Sequence, residues 1–229
     1  LNADFYAVII AGEDTYNRIY DEVLVDEEIK DTTVGLLGDV PVVSHDDVVR
    51  LLREIMPPEY LKSQIEGAIQ SSVDYLNEDA ETLEVYLELG PPLDRVKPTL
   101  LTYIDRRIDA VPEADPGLPE CTPDRVNQVA NRYLEVFSNL ATGEVPTALP
   151  SLKAISRPCR ILIFDLAFDG TGGGTGGISS LGPAAAKGMR ANQEVIRREF
   201  VAGDTHGVLK QAVRPLATPL VDQAVEQLR

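Results

Sequence analysis

A mainly α-helical fold carrying a minor two-stranded β element is what this 229-residue sequence predicts. Apolar residues recur at three- and four-residue steps over most of the chain, which is the helical period. One segment, Thr82 to Leu89, instead alternates apolar and polar residues at strand spacing. Proline and glycine clusters separate the periodic stretches, as breakers do between packed elements.

The elements follow in order. Residues 3–11 form a short helix capped by Asn2 and stopped by Gly12. Residues 13–30 continue as helix, with Tyr16, Ile19, Tyr20, Val23 and Leu24 on one face and Asp21, Glu22, Asp26, Glu27 and Glu28 opposite. Gly35, Gly38 and Pro41 mark a loop. Ser44 caps the next helix, with Asp47 three residues on and Val48, Leu51, Leu52 and Ile55 inward. Pro57 and Pro58 end it, and Pro58 opens a helix to about Leu76.

Leu83, Val85, Leu87 and Leu89 then alternate with Glu84, Tyr86 and Glu88, and Gly90-Pro91-Pro92 stops this strand. Its predicted partner is the apolar run Arg160 to Phe164, read as a buried strand. Pro98 opens a helix of about 99–109. Four prolines over 112–123 form the clearest irregular link, and a helix follows over about 124–140. The tract Asp169 to Gly177 is a flexible loop by composition. Two helices close the chain, about 183–201 and 206–228, the last bent or interrupted by Pro215 and Pro219. The expected organisation is an acidic helical region with one strand, 1–111, and a helical region with the Gly-rich loop, 112–229, in one continuous domain.

Hydrophobic residues make up 44% of the chain, but aromatics only 6%, so the core is expected to be aliphatic. The net charge of -16 argues against nucleic acid as a partner, because phosphates repel such a surface. Charge is unevenly spread. Residues 1–120 hold 27 Asp/Glu against 9 Lys/Arg, a net of -18; residues 121–229 hold 10 against 12, a net of +2. The acidic half reads either as a solvated face or as a surface that attracts Ca²⁺ or a basic partner. No stretch approaches the roughly 20 apolar residues that span a bilayer.

Cys121 and Cys159 are the chain's two cysteines, and His45 and His206 its two histidines. Neither cysteine belongs to a C-x-x-C pair, so a Cys/His zinc site is not expected. Both sit beside proline at element boundaries, which suits a structural disulfide between Cys121 and Cys159 in an oxidising compartment.

The chemistry-bearing motifs are thin. The glycine tract lacks the Lys-Ser or Lys-Thr of a phosphate-binding loop and the βαβ context of a dinucleotide site, so no cofactor is expected. Ile161 to Asp165 looks like a Walker B strand without its companion motif. Asp165 and Asp169 with loop carbonyls allow a Ca²⁺ reading, but the spacing fits no EF-hand loop. Gly177-Ile178-Ser179-Ser180-Leu181-Gly182 has one residue too many for a G-x-S-x-G elbow, with His206 as the conceivable base. Asp204-Thr205-His206-Gly207 reads more simply as punctuation between two helices. H-E-x-x-H is absent, which excludes a zincin. Tyr6, Tyr16 and Tyr20 line a pocket, face a membrane surface, or pack helices.

Phe5-Tyr6, Tyr16-Asn17-Arg18-Ile19-Tyr20-Asp21-Glu22-Val23-Leu24, Met56-Pro57-Pro58-Glu59-Tyr60-Leu61 and Asp74-Tyr75-Leu76-Asn77 leading into Thr82-Leu83-Glu84 together resemble uncharacterised bacterial membrane-anchored proteins. The resemblance covers about the first 110 residues. It implies an outward-facing helical ectodomain between an N-terminal anchor and a further membrane segment. It supplies no activity and no catalytic residues. The start at Leu1 fits a removed signal peptide or anchor upstream, or else a trimmed tag on a cytosolic protein; the resemblance favours the anchor. The expectation is an extracytoplasmic binding or structural module that meets the membrane only through segments outside this chain. Its protein partner is unknown. The alternative is an extracytoplasmic hydrolase, favoured by a pocket converging Asp165, Asp169, Ser179 and His206.

Overall fold

The computed structural model describes residues 2–12, 14–27, 29, 45–117, 120–141, 144, 146–169, 177–181 and 183–228. The loop at Gly35, Gly38 and Pro41, the cap at Ser44 and the glycines of 170–176 lie outside them. Among the described residues the chain is mainly α with one small sheet, the expected fold class, although that sheet does not use the segments expected to form it. It divides into two compact units: residues 1–99 with the last two residues, and residues 100–227.

The first unit begins with α1 (Ala3–Gly12) and α2 (Thr15–Arg18), the latter running into a π-helical turn at Ile19–Val23. Tyr16 and Tyr20 are buried there, so these two rings pack helices. The Tyr20 hydroxyl donates to the Met56 carbonyl, and Arg53 lies over its ring at 5.6 Å. Burial raises the pKa of both phenols above the ordinary value, with Glu66 adding to the rise at Tyr16 and Arg53 opposing it at Tyr20. α3 (His45–Ile55) buries Val49, Leu51 and Ile55. Its Arg53 bridges to Asp21 at 2.8 Å, and His45 Nε2 lies 2.7 Å from the Leu24 carbonyl. α4 (Pro58–Leu76) starts on Pro58, whose missing N–H costs nothing in a first turn.

The predicted strand at 82–89 is not a strand. Residues 83–89 run without turn or bend, exposed throughout, and pair with no strand among the described residues. Alternation marks a segment able to pair, but pairing needs a second edge, and 160–166 supplies none. Gly90-Pro91-Pro92 does not end an element either: it opens α5 (Gly90–Asp109), with Pro98 inside the helix.

The second unit holds β1 (Glu113–Ala114), α6 (Pro123–Ala141) and β2 (Leu149–Pro150). β1 and β2 pair in parallel, Glu113 opposite Leu149 and Ala114 opposite Pro150. A 3₁₀ turn at Leu152–Ala154 leads to α7 (Arg157–Asp169), which replaces the predicted buried strand at 160–164. Cys159, Ile163, Phe164, Ala167 and Phe168 are buried, a spacing that only a helix face satisfies. Pro158 sits in the first turn, where it is tolerated. A short apolar run has no period of its own to separate strand from helix, and here helix packing decides.

A 3₁₀ turn (Gly177–Leu181), α8 (Pro183–Ala191), α9 (Gln193–Ala202) and α10 (Thr205–Leu228) complete this unit. The single helix read over 183–201 is broken at Asn192. α9 ends on Gly203, whose φ of 90° is the left-handed cap geometry glycine adopts freely. Asp204 then caps α10, accepting from the Gly207 N–H at 2.9 Å. The punctuation read at 204–207 is therefore present.

α10 runs through Pro215 and Pro219. Pro215 has no N–H for the Gln211 carbonyl, and the Asn192 side-chain amide donates to that oxygen instead, at 3.4 Å. Gly188 of α8 lets the helices close here, since a Cβ would stand 3.2 Å from the Pro215 Cβ. The core of this unit is one cluster in which Phe200 meets Tyr133 and Phe164 edge to face, with Phe168 stacked on Phe164 at 4.1 Å.

Candidate functional site

Cys121 and Cys159 come together, with Cα atoms 5.7 Å apart in a disulfide. That lies within the range a bridge requires. Cys159 is buried on α7, while Cys121 is exposed in the link before α6. The bridge ties the link before α6 to the first turn of α7.

The residues of the hydrolase reading engage separate partners. Asp165 pairs with Arg197 at 3.6 Å, Ser179 Oγ accepts from Arg190 at 2.7 Å, and His206 Nε2 lies 2.9 Å from the Val111 carbonyl. His206 Nδ1 meets Glu113 Oε1 at 3.2 Å, and Lys153 approaches the same oxygen at 3.6 Å. The Ser151 hydroxyl donates to the other Glu113 oxygen. The carboxylate thus stands between the Ser151 hydroxyl and the His206 imidazole. Nearby, Thr205 Oγ1 accepts from the Leu152 N–H at 3.0 Å, and the Tyr133 hydroxyl donates to the Pro150 carbonyl. Burial pushes the Tyr133 phenol well above its ordinary pKa, Glu113 adds to the rise, and Thr205 opposes it. These bonds tie the start of α10 to β1 and β2. Sequence reasoning missed the cluster, because nothing in two-residue strands marks Glu113 or Ser151 as neighbours of His206.

No group of three or more His, Cys, Asp or Glu among the described residues is placed to hold a metal ion. No helix among them is long and apolar enough to cross a membrane.

The surface that stands out is on the first unit. α1 carries Phe5, Val8 and Ile9 outward and has no buried residue. Beside it, an open groove of about 410 Å³ is lined by Tyr6 and Ile10 of α1, Ile69 and Leu76 of α4, and Val85 and Leu87 of the 83–89 segment. Leu83, Tyr86 and Leu89 of the same segment are exposed, Tyr86 by 78%. Tyr6 therefore lines a groove, one of the three roles open to it from sequence. Contiguous apolar surface of this kind marks interaction sites on folded proteins. The even spacing that predicted a strand places Val85 and Leu87 on one side together. No family model, no curated protein and no solved structure matches this chain.

Proposed function

We propose that this chain is the extracytoplasmic ectodomain of a membrane-anchored bacterial protein and works there as a binding module. The exposed apolar groove between α1, α4 and residues 83–89 carries the binding reading. Its lining is apolar apart from the Tyr6 and Ser72 hydroxyls, the latter bonded to the Ala68 carbonyl at 2.8 Å, and such contact area suits recognition. The Cys121–Cys159 bridge supports the outward location, because such bonds persist in oxidising compartments. Anchoring belongs to segments outside these residues and rests on the resemblance of the first 110 residues.

Intact producing cells test both halves. A membrane-impermeant amine label should modify the protein, and both cysteines should resist thiol reagents until reductant is added. A photo-crosslinking amino acid in place of Leu87 should give one discrete adduct in those cells. Protection from the label together with two free thiols would overturn the location, and absence of any adduct would overturn the binding role.

A further inference from the structure

We propose that residues 83–89 are an open strand edge that takes an added β-strand, and that the incoming segment is an extended peptide alternating apolar with basic residues. This rests on the binding-module reading and names its partner class.

The backbone makes the first argument. From Thr82 to Leu87 no residue has a hydrogen-bond partner among the described residues, and the Glu88 N–H is taken by the Gln64 side chain at 2.9 Å. N–H and C=O groups left unpaired along a straight segment are what an added strand satisfies. In a pleated chain these groups alternate sides, so with Glu88 turned toward α4 the open side belongs to Leu83, Val85 and Leu87. The side chains make the second argument. Val85 and Leu87 enter the groove, so alternate apolar residues of an added strand would extend the same apolar surface over Tyr6 and Leu76.

Charge selects the partner. Residues 1–99 hold 22 Asp/Glu against 7 Lys/Arg, a net of -15. Glu84 and Glu88 stand between the apolar positions of the segment, and exposed Glu78, Asp79 and Glu81 precede it. A second copy of this chain and an anionic lipid surface are both repelled by this field. Like charges on directly opposed strands are also unfavourable, whereas Lys or Arg opposite Glu84 and Glu88 is favoured.

The test uses the whole 229-residue chain and a labelled peptide alternating Lys with Leu or Val, followed by fluorescence anisotropy. Saturable binding that weakens with salt is expected. Backbone N-methylation of the peptide on one set of alternate residues should weaken binding at least about tenfold, and on the other set should leave it nearly unchanged. Val85→Pro should cost at least about tenfold, and the Glu84→Lys/Glu88→Lys pair should transfer preference to a peptide with Glu in place of Lys. These positions are exposed, so circular dichroism should be unchanged. Absence of saturable binding, equal binding of both N-methylated peptides, tighter binding to phosphatidylglycerol vesicles, or a dimer that excludes the peptide would each overturn the proposal. If any of these occurs while the Leu87 adduct still forms on intact cells, strand addition fails and the binding role stands.

Discussion

The two units use apolar residues in opposite ways. In residues 100–227, Tyr133, Phe164, Phe200, Leu152, Met189 and Ile196 are almost wholly withdrawn from solvent. Among the described residues of 1–99 the buried apolar set is short (Tyr16, Tyr20, Val49, Leu51, Ile55 and Val73), and the exposed large hydrophobic side chains of the described residues fall in that stretch, except Leu162. Hydrophobic content therefore says little about core size. The second unit converts its apolar residues into stability, and the first leaves many of them as surface.

Substitutions sharpen this contrast. Phe164→Ala removes the ring that meets both Phe168 and Phe200, and should destabilise the protein by about 3–5 kcal/mol in urea denaturation. A loss below about 1 kcal/mol would mean the second core is looser than its burial indicates. Reducing the Cys121–Cys159 bridge releases a loop of 38 positions, with a stability loss of up to about 4 kcal/mol in the chain-entropy model. Thermal melts with and without reductant measure it.

Gly203→Ala forces a Cβ into a left-handed residue and against the Arg160 guanidinium, and should cost more than about 1 kcal/mol. Asp204→Ala removes only the α10 cap and should cost about 1 kcal/mol. Leu87→Ser on the exposed segment should change stability by less than about 0.5 kcal/mol while it weakens peptide capture. A large destabilisation by Leu87→Ser would erase the distinction between the two units.

The sequence was most legible where local chemistry decides the outcome. The α4 helix follows from Pro58 at its start and a long apolar stripe. The cap at Asp204 and the stop at Gly203 follow from residue types with strong positional preferences. Legibility failed where a partner decides. Ile161–Phe164 is as apolar as a buried strand, and only its packing in α7 makes it a helix. Residues 83–89 have strand alternation but no neighbouring edge. β1 and β2 are two residues each, too short for any pattern, and their pairing depends on what Glu113 and Leu149 meet in space. The Cys121–Cys159 pairing was legible from boundary placement and proline neighbours, whereas the groove needed α1 laid beside α4 to become visible.

The bridge between Cys121 and Cys159 also changes what a protease can do to this molecule. Every peptide bond from Cys121 to Cys159 lies inside a covalent ring, and α6 is part of that ring. One cut there opens the ring without releasing a fragment, and the parallel pairing of Glu113–Ala114 with Leu149–Pro150 holds a second pair of points together across the same stretch. A nicked chain keeps its full mass on a gel until reductant is added, and only then separates into two pieces. Wherever the bond stays oxidised, such a molecule survives a first cleavage as a single body.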